Sequence, residues 1–261
     1  MNNQTVNELN NRNLDSCYFS IICFPTNIYF KSSEIDINQK TLYVFYGCNL
    51  KGVRKFITAV ISDDFSKTSD WYNFFLKLKK RNLQTILYAN VVNNKHMKDA
   101  LSLAFPEVEI FITCFDTINK IFKYFTASYT TNVFSIVKNI YLSDDLNGYE
   151  AALSIFYDEF GANQFLIDLL ENDLKSIKKY YDFDILLRKH IFCFYFCRDT
   201  IKKLSVFSHS KPYFSTVNEY IELMISLIQR NETKMYSSKS DWLNLLNFIY
   251  PIKKDLIKCY L

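Results

Sequence analysis

Cys193 and Cys197 stand four residues apart, one turn of a helix, a spacing that presents two sulfurs on one side of a metal ion. The other five of the seven cysteines supply no second pair at zinc-type spacing, and an odd number closes no disulfide framework. The competing reading is that each is a small buried apolar residue. His96, His190 and His209 lie far apart, with no serine elbow or Cys/His signature beside them, so they assemble no hydrolase in sequence. Four glycines in 261 residues leave no glycine-rich phosphate loop, which argues against P-loop or dinucleotide chemistry. Lys77, Lys79, Lys80 and Arg81 form a basic cluster, either a phosphate-binding patch or cations favoured by the last turn of a helix.

The elements that must position these groups are clearest between Thr41 and Tyr124. Leu42-Tyr43-Val44-Phe45-Tyr46-Gly47 reads as a strand, Asn49-Leu50-Lys51-Gly52 as a turn, and Val53 to Ser62 as the returning strand of an antiparallel hairpin. Asp63-Asp64 reads as the cap of a helix from about Lys67 to Lys80, on which Trp71, Phe74, Phe75 and Leu78 recur at helical spacing. The buried strand Ile86-Leu87-Tyr88-Ala89 follows, then a helix closing on Ala104-Phe105-Pro106, then a further strand. Upstream, Tyr18 to Phe24 and Ile28 to Lys31 are β-rich and predicted to be broken by Pro25, with a polar lead before them and a polar turn from Ser32 to Lys40.

After Tyr124 the pattern becomes helical. One helix is marked by Tyr149, Leu153, Phe156 and Phe160, and another by Leu166, Leu170, Leu174, Ile177 and Tyr181. A third is marked by Ile221, Met224, Ile225 and Ile228, and a fourth by Trp242, Leu245, Leu246 and Ile249, stopped by Pro251. The fold class is α/β, with a mixed sheet early and helices late. No apolar run reaches the roughly 18–20 residues that span a bilayer, and the Asn-rich start is no signal peptide, so a cytoplasmic location is expected. A net charge of +4 permits contact with nucleic acid without demanding it.

In order and spacing, several short words resemble the catalytic region of bacterial Mutator-type insertion-sequence transposases over residues 20 to about 250. They are Ile28-Tyr29-Phe30-Lys31, Leu42-Tyr43-Val44 with Gly47, Gly52, Val60-Ile61-Ser62, Trp71, Ile86-Leu87 and Ala104-Phe105-Pro106. Tyr141, Glu150-Ala151-Ala152-Leu153, Phe214 and Asp241-Trp242 continue the series. The resemblance implies a ribonuclease-H-like mixed sheet with flanking helices and a helical insertion. It divides the chain into a polar lead at 1–17, an α/β core at 18–125, a helical insertion at 126–190 and C-terminal helices at 191–261.

The family's DNA strand cleavage and transfer needs three carboxylates on two Mg²⁺ ions. By the resemblance those positions fall on Thr26, Val92 and about Arg198, with Asp199 as the fallback for the third. The family's Cys–His word falls on Thr113 and Asp116, with Cys114 one residue off. Mg²⁺ requires hard oxygen ligands, and valine and arginine offer none. Asp15, Asp63, Asp64 and Asp116 are the remaining carboxylates considered as replacements.

The expectation is a transposase-derived protein, catalytically inactive, binding no cofactor and no small-molecule substrate, and lacking the family's N-terminal DNA-recognition segment. DNA held without sequence preference and a second copy of the chain are the candidate partners. Arg54, Lys55, Lys202 and Lys203 are the candidate DNA contacts. The alternatives are a non-enzymatic interaction module and an active transposase with relocated carboxylates.

Overall fold

The computed structural model describes residues 8, 11–31, 37–125, 127–210, 213–216, 218–223 and 238–260. They form two compact units, Met1–Thr113 with Val206–Leu261, and Cys114–Ser205.

In the first unit, five strands form one mixed sheet. They are β1 (Cys17–Lys31), β2 (Ile37–Asn49), β3 (Arg54–Ile61), β4 (Thr85–Val91) and β5 (Glu109–Ile112), in the order β3-β2-β1-β4-β5. β1–β2 and β2–β3 pair antiparallel, while β1–β4 and β4–β5 pair parallel. The short link from Asn49 to Arg54 leaves room only for a hairpin, whereas each parallel pairing needs a crossover. Those crossovers contain α1 (Thr68–Lys80) and α2 (Lys95–Ala104).

The apolar stripe of α1 packs as its periodicity predicts. Trp71, Phe74, Phe75 and Leu78 are buried with Ile21, Cys23 and Phe45 of the sheet and Met97 and Leu101 of α2. Phe45 lies 5.0 Å from Phe74, and Tyr43 5.3 Å from Trp71, ring centre to ring centre. Each such ring contributes roughly 1.5–3 kcal/mol by burial. Phe19 meets Tyr88 and also Trp242, which lies on α9 (Lys239–Ile257). The Trp242 indole N–H donates to the Leu50 carbonyl at 2.9 Å, directly over the β2–β3 turn. Gly52 there has φ +75°, and a Cβ on it would come within 2.8 Å of the Trp242 ring. A Cβ on Gly47 would lie 2.3 Å from the Tyr18 ring, so β2 must stay bare where that ring crosses it.

Several local expectations are corrected. β1 runs unbroken through Pro25, because its pairing with β4 ends at Ile22 and Pro25 lies beyond it, paired to Tyr43 of β2 alone. β2 already begins at Ile37, inside the segment expected to be a turn. Asp63 and Asp64 sit in a 3-10 turn (Ser62–Asp64), and α1 is capped instead by Asp70, whose carboxylate accepts from the Lys67 N–H at 2.9 Å. α9 does not stop at Pro251 but continues to Ile257, with non-helical backbone at Lys253 where the proline interrupts the bonding ladder. Of the third predicted helix, 218–223 is helical, and Met224, Ile225 and Ile228 lie outside the described residues. In the polar lead, residues 11–16 are held to the core: Leu14 is buried, and its N–H donates to the Arg81 carbonyl at 2.7 Å.

The second unit is helical: α3 (Phe115–Tyr124), α4 (Ala127–Leu142), α5 (Leu146–Phe160), α6 (Gln164–Lys175), a 3-10 turn (Lys178–Tyr180) and α7 (Ile185–Phe192). α8 (Phe194–Ser210) begins in it. Side-chain caps start three of these helices, with Asp145 accepting from Gly148 N, Asn163 from Leu166 N and Asp184 from Leu186 N. Among the described residues no helix is long and apolar enough to cross a membrane.

Candidate functional site

Thr26 and Val92 come to one end of the sheet. Ile22 of β1 is the register partner of Asn90 of β4 in a parallel pair, so both chains reach the same end of the sheet a few residues later. Thr26 lies on β1 past the last β4 partner, and its hydroxyl is 2.6 Å from the Tyr220 hydroxyl. Burial pushes the Tyr220 phenol up to about 12, against the opposing effect of the Thr26 bond. The two groups therefore meet as neutral hydroxyls at physiological pH.

Tyr220 reaches Thr26 because the chain returns alongside β1. Phe214 N donates to the Tyr29 carbonyl at 2.9 Å in a parallel bridge to Phe30. Thr216 then starts the helical segment 218–223, its hydroxyl accepting from Glu219 N at 3.2 Å while the Glu219 carboxylate accepts from Ser215 N at 2.9 Å. In the same segment, Glu222 Oε1 is buried without a hydrogen-bond partner among the described residues. Sequence reasoning passed over Tyr220 and Glu222, although the Thr216-x-x-Glu219 pattern marks a helix start that carries them.

Val92 follows directly on β4. It is 6% exposed and packs in the apolar cluster with Met97, Ala100 and Leu101. The polar groups of this turn are spent on starting α2: Asn94 Oδ1 accepts from Met97 N at 3.0 Å, and Asn94 N donates to the Val92 carbonyl at 2.7 Å. The turn keeps the geometry of a strand-to-helix junction and offers no side-chain oxygen at Val92.

Arg198 and Asp199 belong to the second unit. The Arg198 guanidinium bonds Asp199 at 2.7 Å and lies over the rings of Tyr195 and Phe134, at 5.1 and 5.6 Å. Two of the other carboxylates have structural partners. Asp15 pairs with Lys55 at 2.8 Å and accepts from Asn49 Nδ2 at 3.1 Å, and Asp63 pairs with Lys40 at 3.6 Å. Among the described residues no group of three or more His, Cys, Asp or Glu is placed to hold a metal ion. Cys193 and Cys197 are buried thiols: Cys193 donates to the His190 carbonyl at 3.0 Å from a left-handed turn, φ 51°, between α7 and α8.

Of the candidate DNA contacts, Lys55 is engaged by Asp15, Arg54 beside it is half-buried, and Lys202 and Lys203 are exposed on α8. The basic cluster at the end of α1 divides. Lys77 and Lys80 are exposed, and Lys79 lies 5.0 Å from the Phe105 ring. Arg81, read with this cluster, turns inward and donates to the carbonyls of Arg12 and Ile57, each at 3.1 Å.

Thr113 is buried, its N–H donating to the Val91 carbonyl at 2.9 Å. Asp116 stands in the first turn of α3, where burial first and the charge of Asp173 second push its carboxyl up to about 6, against the pull of Lys120. Lys120 itself pairs with Asp173 at 2.6 Å. The native state thus binds the Asp116 proton more tightly than the unfolded chain, and the associated stability is lost as pH rises through about 6. Asp116→Asn is expected to be more stable than the parent by about 2 kcal/mol at pH 8 and equal to it at pH 4. Urea midpoints at the two pH values measure this, and an equal gap at both would contradict it.

No curated protein matches the chain at a significant level. The profile described as "Transposase, Mutator family" matches residues 2–221, starting earlier and ending earlier than the words read from the sequence. With most of its length so matched, the chain belongs to the Mutator family of transposases.

Proposed function

We propose that this chain is a transposase-derived protein with a ribonuclease-H-like core that has lost strand cleavage and retains sequence-nonspecific DNA binding. The strand order β3-β2-β1-β4-β5, with Thr26 and Val92 at one end of adjacent strands, supports the ribonuclease-H-like reading. The observation that carries the loss of cleavage is the state of those two positions, one hydroxyl bonded to Tyr220 and one side chain packed in the core. A pair of Mg²⁺ ions needs anionic oxygens there, and the residues present do not fit it. Asp199, the fallback for the third carboxylate, is already paired with Arg198.

Exposed Lys202 and Lys203 on α8 support the binding half of the reading. The test is a titration against short duplex DNA at low and moderate salt, with and without Mg²⁺. Binding that falls steeply with salt and ignores Mg²⁺ is expected, because phosphate neutralisation releases counterions. Absence of binding at any salt leaves a protein-interaction module as the reading. Mg²⁺- or Mn²⁺-dependent nicking abolished by Asp199→Asn or Asp15→Asn refutes the loss of catalysis.

A further inference from the structure

We infer that the first turns of α8 form a platform for unstacked bases, so that the chain prefers single-stranded nucleic acid to duplex. This rests on the DNA-binding reading and adds to it a choice of strand state. Tyr195 is 48% exposed although it is an aromatic residue in an otherwise well-buried helix start, where Phe194, Phe196 and Cys197 are all buried. Two cations flank its ring, Lys138 Nζ at 5.9 Å and Arg198 at 5.1 Å. Phe134 lies under Arg198, and Phe194 supports Phe134 at 5.0 Å, so the guanidinium rests on a fixed aromatic base. One and two turns beyond Tyr195, Arg198 and Lys202 share its side of the helix, with Lys203 exposed next to Lys202. Between Phe194 and Lys203 three cations stand against one carboxylate, Asp199, which is bonded to Arg198.

Cations alone serve duplex and single strand alike, since both present phosphates. A half-exposed ring among them adds affinity only where a base is free of its neighbours, because every base has a π-face and a duplex keeps those faces stacked inside. Arginine planes stack on bases in the same way, so Arg198 extends the platform.

The experiment measures binding of the full chain to a thymidine 20-mer and to a 20-base-pair duplex, by fluorescence anisotropy at fixed salt. The single strand is expected to bind at least several-fold tighter. Tyr195→Ala should weaken it about tenfold, as the loss of one stacked base does, and leave duplex affinity unchanged. Tyr195→Phe should keep the wild-type value, since the ring acts and not the phenol. Lys202→Ala should weaken both ligands and flatten the salt dependence. Equal affinity for the two ligands, or a Tyr195→Ala variant that binds the single strand like the parent, overturns the platform while leaving duplex binding in place. Absence of binding to both ligands overturns the DNA-binding reading itself, and the platform with it.

Discussion

Val92→Asp is expected to destabilise the chain by about 3 kcal/mol at neutral pH and to restore no strand cleavage. Val92 is packed among Met97, Ala100 and Leu101 on the inner side of α2. A carboxylate placed there loses its water and finds no donor waiting, because the Asn94 side chain is already spent on the cap of α2. Such a group neutralises itself by raising its pKa, so the defect should shrink as pH falls toward 4–5 and grow as pH rises. Urea midpoints at pH 4.5 and 7.5 would show the difference. A variant as stable as its parent at both would mean that position 92 is not part of the core. Mg²⁺-dependent nicking by Val92→Asp combined with Thr26→Asp would mean that the two positions still face a usable metal site.

Arg188→Met should cost about 3–5 kcal/mol, the largest loss expected in the helical unit, because it removes three hydrogen bonds from a charged donor. Arg188 is 1% exposed and pairs with no carboxylate among the described residues. Its Nε donates to the Phe183 carbonyl at 3.1 Å, and its Nη2 donates to the carbonyls of Ser143 and Asp144, both at 2.8 Å. The guanidinium plane lies 4.0 Å from the centre of the Tyr181 ring, and the Tyr181 hydroxyl donates to the Ile140 carbonyl at 2.7 Å. α4 ends at Leu142, so these groups satisfy carbonyls at and just past its C-terminus, where a cation is favoured.

Methionine fills much of the volume and leaves three carbonyls without their donor, each worth about 1–2 kcal/mol, least at exposed Asp144, where water takes the donor's place. Arg188→Lys should fall between parent and methionine, because a single ammonium cannot reach around the fork that the guanidinium fills. Denaturant midpoints of the three proteins measure the order. Equal midpoints for the parent and Arg188→Met would show that the charge's desolvation cancels its bonds.

The local features were legible because they repeat over a few residues. The Trp71–Phe74–Phe75–Leu78 stripe specifies both a helix and its buried face. The Asn49–Gly52 link is too short for anything but a hairpin, and Asn49 confirms the turn by accepting from Lys51 N and Val53 N. That positions 26 and 92 carry no carboxylate is equally plain from residue type. The prolines were misread for a reason outside their own neighbourhood. Pro25 is tolerated because β4 stops pairing at Ile22, and Pro251 because α9 accepts a break at Lys253.

The site itself was the least legible part. The bond between Thr26 and Tyr220 joins residues 194 apart, and the Trp242 cover on Leu50 joins residues 192 apart. Neither has a periodic signal, since the partners are distant in the chain and are neighbours only in the folded first unit. Arg81 and Arg188 show the same limit: each has the composition of a surface residue, and each is drawn inward by carbonyls that only the finished packing presents. The sequence alone therefore determined the β2–β3 hairpin, the buried stripe of α1 and the residue types at positions 26 and 92, because those depend on neighbours within a turn or a strand. Only the tertiary structure decided which hydroxyl Thr26 would meet, which core would take Val92 and which cations would stay at the surface, because those depend on contacts between distant parts of the chain.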